Sequence, residues 1–366
     1  MRVIKRYSVL FVLIVSISFL ALPAYFHGPY PHASGPTFDK QVSKLYMHEI
    51  EARRPSIVLL GDSILTKGVA ADVFQERMGR PVYKLDIPGS SSALWYLVLK
   101  SNIVPAKPAP RTLVILFRDT LLTVPTFRTL PPYFGLIDKF AAPGDTLLLE
   151  RAYLAQLTPL QVALEEYLPL YTYRAEIRES VDAALRHTLP STAGCDPSCA
   201  DEFMTGVLGD VQPDILAQSI IRAEQVNYTP QQLNFAGQVD RSFLPEIIRL
   251  AGEAHIRLVF VRAPTNLFPD PAQEPDGLEG YISDLRTYLA EHNVPLIDLS
   301  RVEGIGPSQF VDPHHLSLEG RAIFTSVLAE ALRSYLNQFD SGSLQAPQAL
   351  DGLSPIRAGC PGDNSE

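Results

Sequence analysis

Short apolar runs alternate along this chain with longer segments in which apolar residues recur at helical spacing. The first run, "SIVLLGD" at 56–62, is followed by comparable runs in "PVYKLD", "RTLVILF", "IRLVFVR" and "VPLIDLS". Apolar runs of this length are typical of parallel strands that are covered on both faces. The segments between them, such as "VAADVFQERMGR", have helical periodicity. The alternation predicts an α/β fold with a five-stranded parallel sheet, arranged as a flavodoxin-like three-layer α/β/α sandwich.

One segment, 120–240, interrupts this alternation between the third and fourth strands. It is too long for a single crossover and contains helix-like stretches, so we expect a mostly helical insertion. The insertion would either cap the carboxyl edge of the sheet or form a peripheral subdomain. The folded domain is predicted to span 55–338, after a linker at 28–54 that begins rich in proline and glycine and becomes helix-like. The polar residues 339–366 are predicted to form a disordered tail.

The first 27 residues differ in kind from the rest of the chain. Arg2, Lys5 and Arg6 precede Tyr7–Phe26, which carries no charge and would span about 30 Å as a helix. This pattern favours an uncleaved, single-pass transmembrane helix with a cytoplasmic N-terminus, and a folded domain in the periplasm or outside the cell. A cleaved signal peptide is the alternative, because "ALPA" offers small residues near the end of the segment. The absence of charge argues against a buried helix of a soluble domain.

Net charge and motif spacing exclude several classes of partner. The chain carries a formal charge of −9 and has a pI of about 5.4, and no basic stripe occurs that would gather phosphates. We therefore expect no nucleic-acid partner. "GDSILTKG" lacks the spacing of a phosphate-binding loop, and no motif has metal-ligand spacing, so neither a cofactor nor a metal is predicted.

The chain has three cysteines. Cys195 and Cys199 lie in the turn-rich stretch "AGCDPSCAD", where an oxidising compartment would favour a small disulfide loop. Cys360 lies in the tail and is left over.

Ser63 lies where the first apolar run ends and a helical segment begins. Backbone amides at such a position favour negative charge that develops on a substrate oxygen. The serine could equally be an ordinary helix cap, and so could Asp62 beside it. The tripeptide "GDS" alone does not separate a nucleophile from a cap.

A second cluster, "FVDPHHLSLEG" at 310–320, follows the fifth predicted strand. Asp312 and His315 are three residues apart, so the carboxylate can hold the imidazole in one tautomer. The imidazole can then take a proton from Ser63, whose hydroxyl needs such a base at neutral pH, and return it to a leaving group. The loops after the first and fifth strands share one edge of a doubly wound sheet, so the two clusters are expected to meet. His314 breaks this spacing and is interpreted as a neighbour.

Together, "GDS" near the start, a glycine loop after the second strand, and Asp-x-x-His followed by "LSLEG" resemble the SGNH (GDSL-like) superfamily of serine esterases and acyltransferases. The resemblance covers about 55–120 and 240–338. It implies an oxyanion hole formed by the amides of Ser63 and Gly89 and by an asparagine side chain after the third strand. Arg118, in "LFRD", occupies the position of that asparagine.

Three roles stay open for Arg118. It could hold the oxyanion by a charge-assisted bond, bind an acidic group of the substrate, or pair with Asp119. Arg262 and Asn266 end the fourth strand at the same edge and are predicted to contact substrate, with loop hydrogen bonding as the alternative. Arg128 follows the third strand and could border the site.

The resemblance implies an exported serine-dependent enzyme for O-acyl esters, above all O-acetyl esters, of carbohydrates or cell-envelope polymers. It would act as an esterase or as an O-acyltransferase, through Ser63, His315 and Asp312. The expected partners are the acyl ester or carbohydrate, the membrane through the N-terminal helix and, for a transferase, a membrane protein that donates acyl groups. A catalytically inactive polysaccharide-binding or assembly protein and a lipolytic esterase are the alternatives.

Overall fold

The computed structural model of the chain describes residues 2–27, 30–31, 33–38, 40–130, 133–174, 177, 180–181, 184 and 227–341. The chain divides into two compact units. The larger unit contains Phe38–Ala152 and Val226–Glu366, and the smaller unit contains Met1–Thr37 and Tyr153–Gln225.

Five parallel strands form the sheet of the larger unit. They are β1 (Ile57–Gly61), β2 (Val82–Asp86), β3 (Thr112–Phe117), β4 (Arg257–Arg262) and β5 (Leu296–Asp298). Their order across the sheet is β2-β1-β3-β4-β5, which is the flavodoxin-like order. Every residue of β1 and β3 is buried, as expected for strands covered on both faces. The predicted α/β fold is therefore confirmed.

Helices cover both faces of this sheet. In chain order the described α-helices are α1 (Arg2–Phe26), α2 (Leu45–Arg53), α3 (Ser63–Gly68), α4 (Ala71–Met78), α5 (Ser92–Val98), α6 (Phe134–Phe140), α7 (Thr146–Leu148), α8 (Pro159–Tyr167), α9 (Pro169–Thr172), α10 (Phe235–Gln238), α11 (Leu244–Glu253), α12 (Leu278–Glu291) and α13 (Leu318–Asp340). Helices α1, α8 and α9 belong to the smaller unit, and the helices that cover the sheet belong to the larger unit. Within the larger unit, α4 packs with α13, whereas α5 packs with α11.

The core on the α13 side fixes the strand ends that carry the site. Ile57 and Leu59 of β1 cluster with Phe74 of α4 and with Phe324 and Leu328 of α13, and all five side chains are buried. Full burial of one such side chain contributes about 2 kcal/mol. The intervening β1 residues alternate to the opposite face and are equally buried. The end of β1 is thus held from both sides.

In the smaller unit, α1 is long and apolar enough to cross a membrane over Tyr7–Phe26, and very few residues of that segment are buried. Phe26 at its end stacks on Tyr173, with ring centroids 5.0 Å apart. A signal sequence near the N-terminus meets the same criteria of length and composition, so the choice between an anchor and a cleaved segment stays a prediction.

Several predictions fall wholly or partly outside the described residues. Cys195, Cys199 and Cys360 lie there, as does the tail beyond residue 341. The described part of segment 120–240 contains α6 to α10, and the predicted linker contains α2. The domain boundaries, the cap and the disulfide stay predictions.

Candidate active site

Ser63 is the first residue of α3, directly beyond the carboxyl end of β1. The cap of this helix is Asp62, whose Oδ1 accepts a hydrogen bond from the Ile64 backbone N–H at 2.9 Å. Because Asp62 satisfies the helix end, the Ser63 hydroxyl is available for another partner.

That partner is His315. Ser63 Oγ lies 2.9 Å from His315 Nε2, although 252 residues separate the two in the chain. On the other side of the ring, His315 Nδ1 lies 2.7 Å from Asp312 Oδ2. The two sequence clusters therefore meet as a continuous hydrogen-bonded series from carboxylate to imidazole to hydroxyl.

The loop that carries Asp312 and His315 is itself closed by hydrogen bonds. Asp312 Oδ1 accepts from the backbone N–H groups of His314 and His315, at 2.8 and 2.9 Å. The Val311 N–H donates to the His315 carbonyl at 2.9 Å, beside an antiparallel bridge between Phe310 and Leu316. Both oxygens of Asp312 are thus engaged, which fixes the carboxylate relative to the imidazole.

These hydrogen bonds also set the ionisation of Asp312. Partial burial would raise the pKa of its carboxyl group, but the bonds from the His315 ring and from the two backbone N–H groups outweigh that effect. The pKa of Asp312 is consequently lowered, so the carboxylate stays charged beside the imidazole.

The pKa of Asp62, in contrast, is raised. Complete burial raises the pKa of its carboxyl group. The Arg118 guanidinium is the largest opposing influence, followed by the Ile64 N–H and the more weakly acting Arg128 and His315. The charge on the residue preceding Ser63 therefore depends on two arginines.

Gly89, one of the predicted oxyanion donors, follows β2 and has a φ of 79°. A Cβ built on it would lie 2.5 Å from Cε1 of Tyr133, so only glycine fits beneath this ring. Tyr133 was not identified from the sequence, because nothing in the local pattern around it indicates where its ring lies.

Arg118 follows β3 and is 2% exposed. Its Cζ lies 5.9 Å from the ring centroid of Phe127. Asp119, one of the partners considered for Arg118, accepts hydrogen bonds from Arg262 and from the hydroxyl of Tyr228. The three roles considered for Arg118, namely oxyanion binding, substrate binding and pairing with Asp119, all stay predictions.

Arg262, at the end of β4, is a buried member of an ion-pair network. Its Nη2 lies 2.8 Å from Asp119 Oδ1, and its Nη1 lies 3.4 Å from Asp298 Oδ2. Burial would lower the pKa of Arg262, but the two carboxylates raise it, so the guanidinium stays charged. These contacts correspond to the hydrogen-bonding alternative, and substrate contact by Arg262 stays a prediction.

Asn266 connects the loop after β4 to the loop of the histidine. Its backbone N–H donates to the carbonyl of Pro313 at 2.8 Å. Asn266 is half-buried at this border of the site. Because its backbone N–H already has a partner, its predicted contact with substrate would involve the side chain. Among the described residues, no group of three or more His, Cys, Asp or Glu is arranged to hold a metal.

Comparisons with known proteins add little to this geometry. A protein-family model without a functional description matches residues 212–337, which is less than half of the chain. A search of curated proteins finds no significant match. Among solved structures, the chain is similar to a protein of Bacteroides fragilis provisionally assigned as an acylhydrolase, with 14% identity, a TM-score of 0.36, and coverage of 76% of this chain and 87% of the other.

A second similar structure is a GDSL-like lipase from Bacteroides thetaiotaomicron, with 11% identity and a TM-score of 0.35. That alignment covers 76% of this chain and 88% of the lipase. At these identities and scores, neither likeness bears on the function of this chain.

Proposed function

We propose that this protein is an exported, serine-dependent acyl-transfer enzyme for O-acyl esters, above all O-acetyl esters, of carbohydrates or cell-envelope polymers. The observation that supports this most directly is the series Asp312, His315 and Ser63, joined by contacts of 2.7 and 2.9 Å. The order of the motifs and their resemblance to the SGNH superfamily support ester chemistry. The apolar helix α1 supports export.

In the first step, Ser63 Oγ attacks the acyl carbonyl carbon while His315 Nε2 accepts the hydroxyl proton. The carbonyl π electrons move to oxygen, giving a tetrahedral oxyanion, and the charged Asp312 stabilises the imidazolium. His315 then donates the proton to the leaving alcohol oxygen as the ester C–O bond breaks. The acyl group remains on Ser63.

The oxyanion would accept hydrogen bonds from the amides of Ser63 and Gly89. Arg118 would supply the third donor in place of the asparagine that the resemblance implies. One such donor is worth about 3 kcal/mol of transition-state stabilisation. A guanidinium adds a fixed charge to the bond, which would compensate for the different side chain.

In the second step, His315 Nε2 takes the proton of an incoming hydroxyl, whose oxygen attacks the carbonyl carbon of the acyl-serine. The bond between that carbon and Ser63 Oγ then breaks, and His315 returns the proton to Ser63 Oγ. If the hydroxyl belongs to water, the product is a free acid and the enzyme is an esterase. If it belongs to a sugar, the acyl group is transferred and the enzyme is an O-acyltransferase. In the transferase case, a membrane protein would supply the acyl groups.

Replacement of Ser63 tests the proposal. The full-length protein in detergent is incubated with an acetylated oligosaccharide, with and without an acceptor glycan. We expect wild-type protein to release acetate or acetylate the acceptor, and Ser63→Ala to lower turnover by about 10⁴-fold or more, because the nucleophile is lost. Mass spectrometry should detect an acetyl group on the Ser63 peptide of the wild type alone.

The matched control is Ser326→Ala on α13, which removes a hydroxyl that donates to the Ala322 carbonyl of its own helix. It should retain wild-type turnover. Equal turnover by wild type and Ser63→Ala would contradict serine catalysis. Binding of the glycan without any turnover would favour the inactive binding protein, and release of long-chain fatty acids instead of acetate would favour the lipolytic esterase.

A further inference from the structure

Arg128 lies against two aromatic rings beside the proposed oxyanion hole. Its Cζ is 4.9 Å from the ring centroid of Phe127 and 5.2 Å from that of Tyr133. Both distances are typical of cation–π contacts. The Tyr133 ring is also the group that closes over Gly89. The guanidinium is thus positioned by the same ring that borders a predicted oxyanion donor.

The segment that carries Arg128 is attached to the loop after β2. Ser91 Oγ donates to the Phe127 carbonyl at 2.7 Å, and this bond is buried. Arg128 itself has a φ of 56°, in the left-handed region that non-glycine residues seldom occupy. Such a conformation persists where the surroundings determine it, and it clusters at functional sites. Arg128 is therefore held in place from its backbone as well as from its side chain.

Two arginines place positive charge close to Ser63. Arg118 and Arg128 both act on the buried carboxylate of Asp62. One cation is enough to assist an oxyanion, and the buried Arg118 follows β3 at the position of the family's asparagine. Arg128 is half-buried and so retains a solvent-facing surface that a substrate can meet.

We infer that Arg128 is a specificity-determining residue that binds an anionic group of the saccharide substrate, a carboxylate or a phosphate. The inference rests on the proposed function and names its substrate class. A guanidinium binds either group through two parallel hydrogen bonds. The walls formed by Phe127 and Tyr133 would hold its plane in a fixed orientation. Sugars that carry uronic acid or phosphate groups would thus be preferred to neutral ones.

Matched ester pairs test this inference, because the two members of each pair differ in whether they carry an anionic group. The first pair is acetylated glucuronic acid and its neutral methyl ester. The second is acetylated glucose 6-phosphate and acetylated glucose. We expect wild-type kcat/KM to be about tenfold higher or more for the anionic member of at least one pair, and the pair that responds identifies a carboxylate or a phosphate.

Arg128→Gln should bring that ratio close to one, and Arg128→Lys should retain part of it, because charge persists without the planar fork. The control is Arg77→Gln on α4, which removes an equal charge from an exposed position and should keep the wild-type ratio. A wild-type ratio near one for both pairs, or an unchanged ratio in Arg128→Gln, would overturn the inference while leaving serine catalysis intact.

A binding measurement keeps the inference testable if the ester assay shows no serine-dependent turnover. Calorimetry in the Ser63→Ala background would compare an oligoglucuronate and a phosphorylated oligoglucose with neutral oligoglucose. Tighter binding of an anionic oligomer, at least tenfold weakened by the added Arg128→Gln change, would support the assignment. Equal binding of all three oligomers would refute it.

Discussion

At the scale of single residues, Asp62 explains how the sequence "GDS" leaves a serine hydroxyl available. Its side chain caps α3 through the Ile64 N–H, a contact worth about 1 kcal/mol. This cap places a buried carboxyl group directly before Ser63. Sequence alone could not separate the two roles, because serine and aspartate are equally good caps.

Replacement of Asp62 by asparagine should therefore change how stability depends on pH. Burial raises the pKa of the folded Asp62 above its unfolded value, so the folded state holds this proton more tightly. The associated stability is complete below the unfolded pKa and is lost as pH rises through the folded pKa. The substituted asparagine keeps a side-chain oxygen that can accept from Ile64, and it does not titrate. We expect Asp62→Asn to match wild type near pH 4 and to become the more stable protein as pH rises.

Chemical denaturation of the full-length protein in detergent, at intervals from pH 4 to pH 8, measures this difference in the free energy of unfolding. Asp72→Asn is a suitable control, because Asp72 is exposed in the first turn of α4. A difference between Asp62→Asn and wild type that stays constant across this range would show that Asp62 does not titrate with a raised pKa.

At the scale of elements, the ion pair between Arg262 and Asp119 joins the carboxyl ends of two neighbouring strands. Phe117 at the end of β3 is paired with Arg262 at the end of β4, which brings the guanidinium level with the residues that follow β3. Asp298 at the end of β5 extends the network to a third strand. The network thus supports the sheet edge where Arg118 emerges.

We expect Arg262→Gln to cost about 3–5 kcal/mol of unfolding free energy, because it leaves a buried Asp119 carboxylate without this cation. Asp119→Asn alone should also destabilise. The double variant should cost less than the sum of the two, because no buried charge of the pair is left uncompensated. Denaturant unfolding of the four proteins gives this coupling energy, and strict additivity would mean that the pair contributes nothing as a pair.

The ion pair between Arg262 and Asp119 could not be predicted from the sequence, although the strands that carry it could. The strands were predictable because β1 and β3 are buried on both faces and so consist almost wholly of apolar residues. Asp119 was considered as a partner for its neighbour Arg118. Its contact with Arg262 depends on the pairing of β3 with β4, and a linear sequence does not contain that register. The position of the Tyr133 ring over Gly89 could not be predicted either, because it depends on contacts between residues that are distant in the sequence.

At the scale of the whole molecule, the site requires the segment after β5 to run back along the edge of the sheet to the end of β1. In the order β2-β1-β3-β4-β5, β5 lies three strand spacings from β1, or about 14 Å. The residues between Asp298 and His315 cover that distance, and the bond from Asn266 to Pro313 marks their passage beside the loop after β4. The meeting of the two motifs was predictable from their shared edge, whereas the route was not.

At the same scale, the N-terminal helix predicts that the protein is held in a membrane. Tyr7–Phe26 is apolar, has very few buried residues, and is long enough to cross a bilayer. Burial of a segment this apolar in lipid is strongly favourable, and the preceding Arg2, Lys5 and Arg6 favour retention of the N-terminus in the cytoplasm. We expect the full-length protein to remain in the membrane fraction after alkaline carbonate extraction. Deletion of residues 2–27 should remove it from that fraction.

The same experiment distinguishes an anchor from a cleaved signal. An anchored protein keeps its first residues, so mass spectrometry of the membrane-extracted protein should find peptides from the region before Tyr7. External protease should digest the folded domain in cells whose outer layers have been opened, while those first residues stay protected. A shortened, extractable protein whose N-terminus begins after "ALPA" would overturn the anchor. Protection of the folded domain from protease would overturn export, because the proposed glycan substrates lie on the far side of the membrane.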